Sequence, residues 1–276
     1  MLCAPPALML AAALAFTPPA GADLDIPLTR SADGHFVVRV DTPGGALRLV
    51  LDTGAEASAL TRAAAVRLDL PEADPARLDT LTGSAPAQRR HLDDARLGDF
   101  ALPGLRPVII DHAPDSARAL DGFLGLDAFA GEAIVLDLRA LRVIRDTTPA
   151  CDPRPGLPQT GGTVQGAPVR VRIDTGLAGS VAAPRLTARI AVRDAGRGAI
   201  TGAGGTQVPA RLVSVRRVVI DDYHAGSAQI ALAGLPVFAD ADPAAPPVLI
   251  AGADLLDGAV VRLVVSAEGA CARVSP

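Results

Sequence analysis

Lysine, asparagine and tryptophan are missing from this chain, and aromatic residues make up only 3% of it. Without asparagine there is no acceptor for Asn-linked sugar. Without lysine the fixed cations are all arginine; the net charge is −4, and no basic run interleaves with aromatics. That composition points away from nucleic acid as a partner. The three cysteines and four histidines are scattered, with no Cys-x-x-Cys and no His-Glu-x-x-His, so neither a metal nor a cofactor is expected. The longest apolar run, "ALMLAAALAF" (7–16), is ten residues, well short of the ~20 of a spanning helix. Stable membrane insertion is therefore not expected.

What is present is 276 residues, 49% hydrophobic, enough for one large domain or two small ones. The apolar run is followed by "TPPAGA", with Ala20 and Ala22 in an A-x-A arrangement. Residues 1–22 thus have the layout of a secretory signal peptide, and export to the periplasm or the medium is expected. The segment before the run carries no Lys or Arg. Export would leave Cys151 and Cys271 in an oxidising compartment, either as a disulfide or as two free thiols.

The chain is written twice. "HFVVRVDT", a Pro-Gly-Gly turn and "ALRLVLDTG" end on Asp52-Thr53-Gly54. "GGTV", a Gln165-Gly166 turn and "APVRVRIDTG" end on Asp174-Thr175-Gly176. Both approaches alternate apolar and polar residues, the period of a half-buried strand. Ser58 and Ser180 each stand six residues past the aspartate. Two glycine-bearing turns follow, "LTGSAPAQ" (81–88) and "ITGAGGTQ" (200–207). Each half then closes on an apolar-Gly-x-Asp segment, 73 residues after the first aspartate (52 to 125) and 78 after the second (174 to 252). One Asp-Thr-Gly is a weak signal; two with matching landmarks mark a tandem repeat. "ACDPRPGLPQTGG" (150–162), rich in Pro and Gly, separates the copies.

"LDTGA", "IDTG", Phe123-Leu124-Gly125 and Ile250-Ala251-Gly252 resemble the motifs of retropepsin-like aspartic proteases, and the resemblance runs through nearly all of both halves. It implies a mostly β, bilobal acid-protease fold: two tandem retropepsin-like β-barrel lobes related by pseudo-twofold symmetry. The N-terminal lobe would span 23–150, the linker 151–162 and the C-terminal lobe 163–276. Asp52 and Asp174 would be the catalytic dyad of an endopeptidase, sharing one water and splitting their pKa values. Thr53, Gly54, Thr175 and Gly176 would support the dyad. Gly83 and Ser84, with Gly202, Gly204 and Gly205, would form flaps over a peptide or protein bound in extended form. Two lobes in one chain imply that a monomer suffices, whereas intermolecular pairing of lobes would require an oligomer.

Two positions depart from the family pattern. Leu177 follows the second motif where a small residue is usual, and Ala251 replaces a large apolar residue. A bulky Leu177 could crowd or desolvate the dyad, which keeps open a catalytically weak or inactive peptide-binding protein of the periplasm. Asp127 and Asp254 read as turn or helix-start residues, and His91 and His224 as exposed loop residues. The arginines of "QRRH" and "VRRVV" read as the solvated face of strands or as substrate selectors.

Overall fold

The computed structural model describes residues 24–111, 120–239, 242 and 244–276; the signal peptide read at 1–22 lies outside them. The fold is mostly β. In Ala167–Ile173, Val169, Val171 and Ile173 are buried while Pro168 and Arg170 are exposed, so the sequence alternation becomes two faces of a strand. The hairpin turn before it is Gln165-Gly166, with φ of 52° and 87°. Left-handed backbone at both turn positions matches the twist of the flanking strands. Gln165 is held there by its side chain, which donates to the Ala191 carbonyl (2.8 Å) and accepts from the Arg216 N–H (3.1 Å).

One pairing scheme occurs in both halves. In the first, Gly45–Leu51 pairs antiparallel with Phe36–Thr42 and parallel with Gly122–Leu124, which pairs antiparallel with Ala59–Thr61. In the second, Ala167–Ile173 pairs antiparallel with Gln159–Val164 and parallel with Val248–Ala251, which pairs antiparallel with Val181–Ala182. Each sheet extends to a long hairpin: Glu72–Thr80 with Gly83–Arg90, and Arg193–Thr201 with Gln207–Ile220. In the second half Gln159–Val164 also pairs with Gln207–Ile220, closing the sheet on itself as a barrel.

The first of these strands begins at Gln159, inside the 151–162 segment read as a linker. A Cβ at Gly162 would clash with Val171 Cγ2 (2.9 Å) and the Val219 carbonyl oxygen (2.5 Å), so the glycine marks close backbone approach and not a loop.

A third sheet joins the halves. Ala133–Asp137 pairs with Val260–Ser266, flanked by Arg142–Arg145 and Gly269–Ser275. Across it Arg262 donates to both carboxylate oxygens of buried Asp146 (2.7 and 2.9 Å). A disulfide joins Cys151 to Cys271 with Cα atoms 6.1 Å apart, tying the inter-half segment to the last strand. One apolar core runs through both halves, from Phe36, Leu47 and Leu49 to Val171, Leu263 and Val274.

Candidate active site

Both strands that end in Asp-Thr-Gly carry their ladder one residue further. The Asp52 N–H donates to the Leu124 carbonyl (2.9 Å) and the Asp174 N–H to that of Ala251 (3.0 Å). Each aspartate therefore leaves its sheet at a defined angle, held by the parallel neighbour. The loops then meet. The Thr53 N–H donates to Thr175 Oγ1 and the Thr175 N–H to Thr53 Oγ1, both at 3.1 Å. Each hydroxyl passes its own proton on: Thr53 to the Ile173 carbonyl (2.8 Å) and Thr175 to that of Leu51 (2.6 Å). Both threonines are buried. These four bonds bridge residues more than a hundred positions apart and fully satisfy two buried hydroxyls.

The bridge sets each carboxyl against the other loop's glycine, and the two carboxyls act on one another electrostatically. Asp174 is 7% exposed, while Asp52 keeps partial access to solvent. Burial raises the Asp52 carboxyl from 3.8 to about 6, opposed by the Gly54 N–H (2.9 Å) and by the bond from Asp174. Burial, then the negative charge of Asp52, push Asp174 well above the ordinary carboxyl range. Both carboxyls thus favour the protonated form more than a free carboxyl does, and the titration belongs to the pair.

Gly54 and Gly176 are required by this approach. A Cβ on Gly54 would overlap the Asp174 carboxylate, and one on Gly176 would overlap that of Asp52. Each glycine faces the other loop's acid. Leu177 donates its N–H to Asp174 Oδ1 (3.2 Å), and its side chain packs against the apolar cluster of Val181, Ile200, Ala210 and Leu235.

Asp127 and Asp254 do more than start a turn. Ser58 Oγ donates to Asp127 Oδ1 (2.6 Å) and accepts from the Gly125 N–H (3.0 Å). Ser180 Oγ does the same with Asp254 (2.6 Å) and Gly252 (2.9 Å). The latch ties each Asp-Thr-Gly loop to the closing segment beneath it. The repeated six-residue spacing of Ser58 and Ser180 and the repeated Gly-x-Asp closures are its traces in the sequence.

The tips of the two long hairpins touch. Thr82, 6% exposed, lies so close to Gly202 that a Cβ there would overlap its hydroxyl. Leu81, at the first tip, packs into the second half's apolar cluster beside Leu177. Ala203, at the second tip, packs with Leu78 against the first half's cluster of Val37, Val50, Ile110, Leu120 and Phe123. Gly83 begins its strand at φ 146° and Gly205 turns the second tip at φ 79°, both positions that favour glycine. Gly204 lies 4.0 Å from Leu78 by its Cβ direction. Ser84 is exposed and bonds to Asp79 across its own hairpin.

Residues 38–128 match a family described as Aspartyl protease. That span, about a third of the chain, holds a partial aspartyl-protease domain with Asp52, the first hairpin and the Ser58–Asp127 latch. No curated protein matches the chain.

Proposed function

We propose that the chain is an aspartic endopeptidase built from two tandem retropepsin-like lobes, 23–150 and 163–276, related by pseudo-twofold symmetry. Asp52 and Asp174 share the catalytic water, and one chain suffices. The observation that supports this reading is the reciprocal threonine bridge between the two Asp-Thr-Gly loops, whose carboxyls both lie above the ordinary range. The ionised carboxyl takes a proton from water as its oxygen bonds to the scissile carbonyl carbon. The neutral carboxyl donates to the carbonyl oxygen. When the tetrahedral intermediate collapses, the C–N bond breaks and a proton from the dyad reaches the leaving nitrogen. Thr53, Thr175, Gly54 and Gly176 keep the acids in place, and the hairpins at Gly83 and Gly202–Gly205 exclude water over an extended peptide. Export to the periplasm or the medium would make exported proteins and peptides the substrates.

The test is cleavage of a mixed peptide library by the chain from Asp23 onward, with Asp52→Asn and Asp174→Asn alongside. Cleavage by the parent and by neither variant is expected. Loss in Asp52→Asn alone would point to pairing between first lobes of two chains. A silent parent that still binds peptides would leave the peptide-binding protein as the better reading.

A further inference from the structure

The two halves are not equal where they flank the carboxyls. Directly paired residues in a sheet share a face, so the register defines one row of side chains in each half. In the first the row is Val37, Val50, Phe123, Ala59 and Val108. In the second it is Gln159, Arg172, Ile250, Val181 and Ala231. Most of the first row, and the Val181–Ala231 end of the second, pack with a hairpin tip. The first contributes Val37, Val50, Ala59 and Phe123 to the cluster that Ala203 covers. The second contributes Val181 and Ala231 to the cluster that Leu81 covers. Val50 and Arg172 hold the same place, two residues before Asp52 and Asp174 and on the face those acids leave from. Where one half presents a buried valine, the other presents an arginine.

Arg172 is half-buried and has no hydrogen bond or ion pair among the described residues. Its electrostatic neighbour is Arg170, two positions earlier on the same face, and burial and that like charge together make its cation less favourable. An unpaired guanidinium beside an apolar wall is costly, and a carboxylate is the group whose planar pair of oxygens it matches. Successive side chains of an extended peptide point to opposite sides. A peptide lying with its scissile bond over the carboxyls therefore turns one flanking side chain to each half.

Resting on the protease reading, we propose that Arg172 sets the specificity: the scissile bond is flanked on one side by an apolar residue, received by the Val50–Phe123 row, and on the other by Asp or Glu, received by Arg172. The apolar side follows from a wall with no polar group in it. The acidic side follows from the free cation, which an uncharged residue would leave desolvated and unpaired.

The experiment is a set of peptides differing only at the two flanking positions, with Leu, Gln, Glu or Lys at each, given to the wild type, Arg172→Val and Arg172→Glu. On one side of the bond, wild type is expected to prefer Glu over Gln by about tenfold in kcat/KM, the scale of a partly buried charge-assisted pair. Arg172→Val should bring that ratio to about one, and Arg172→Glu should turn the preference to Lys. The Glu-to-Gln ratio within each protein is independent of how much of it folds or how active it is. A wild-type ratio near one, or a ratio unchanged in Arg172→Val, overturns the proposal. If wild type cleaves nothing, the protease reading fails on its own. Fluorescence anisotropy with the same Glu and Gln peptides, labelled, then decides the role of Arg172. Tighter binding of the Glu peptide that vanishes in Arg172→Val upholds it; equal binding of the two peptides sinks it.

Discussion

At the scale of single residues, the paired carboxyls set the pH behaviour. Asp52 ionises at about 6 in the folded chain and near 3.8 when unfolded. The folded state therefore holds a proton that the unfolded state has released across that window, and stability falls as pH rises from about 4 to above 6. Replacing Asp52 by Asn removes this loss. Asp52→Asn is expected to be more stable than the parent at pH 7.5 by about 1–3 kcal/mol and indistinguishable at pH 4. Urea melts at the two pH values check this, and equal stability at pH 7.5 would sink it. The base form of the pair appears as pH rises through about 6, so kcat/KM should climb there and not peak near pH 3. The two facing glycines are equally exacting. Gly176→Ala pushes a methyl into the Asp52 carboxyl, and a displacement of about 1 Å costs on the order of 100-fold in rate. A steady-state assay that found Gly176→Ala near parental activity would contradict the close approach.

At the scale of elements, the hairpins are poised by very little apolar contact. Leu81 from one half sits in the other half's cluster, and Ala203 makes the reverse contact with a much smaller side chain. The first hairpin is therefore the better anchored of the two. Leu81→Ala removes about 1–2 kcal/mol of apolar burial, so amide exchange across 78–84 should quicken roughly tenfold. Unchanged exchange would mean that the tip is held by Thr80 and Thr82 alone. Ser58 and Ser180 act at the same scale, since each fixes the angle at which a loop leaves its strand.

At the scale of the whole molecule, the shared sheet, the Arg262–Asp146 pair and the disulfide hold the halves in the relation that the threonine bridge needs. Cys151 and Cys271 are 120 residues apart, and closing so long a loop in the unfolded chain restrains it strongly. Replacing both cysteines by Ala should cost about 2–5 kcal/mol in a denaturant melt, while peptide cleavage at 25 °C persists. Loss of cleavage in a protein that remains folded would mean that the link also positions the site.

Much of this was legible in the residues. Alternating strands, the two Asp-Thr-Gly turns, the matched serines and the apolar-Gly-x-Asp closures are local patterns, and local patterns survive in one dimension because backbone geometry repeats every few residues. The first strand of the second half begins at Gln159, inside the Pro- and Gly-rich segment, because Gly162 leaves room for the Val219 backbone of the neighbouring strand. Ser84, read in the same turn as Gly83, bonds through its side chain to Asp79. The tips' exchange of Leu81 and Ala203, the Ser–Asp latches and the row holding Arg172 join positions tens of residues or more apart. No spacing rule reaches that far. By itself the sequence determined which residues form strands and turns and where the two acids stand along the chain. Only the tertiary structure decided that the two loops lock together through their threonines and that their glycines face one another's carboxyls, because register and packing assemble those contacts from both halves of the chain.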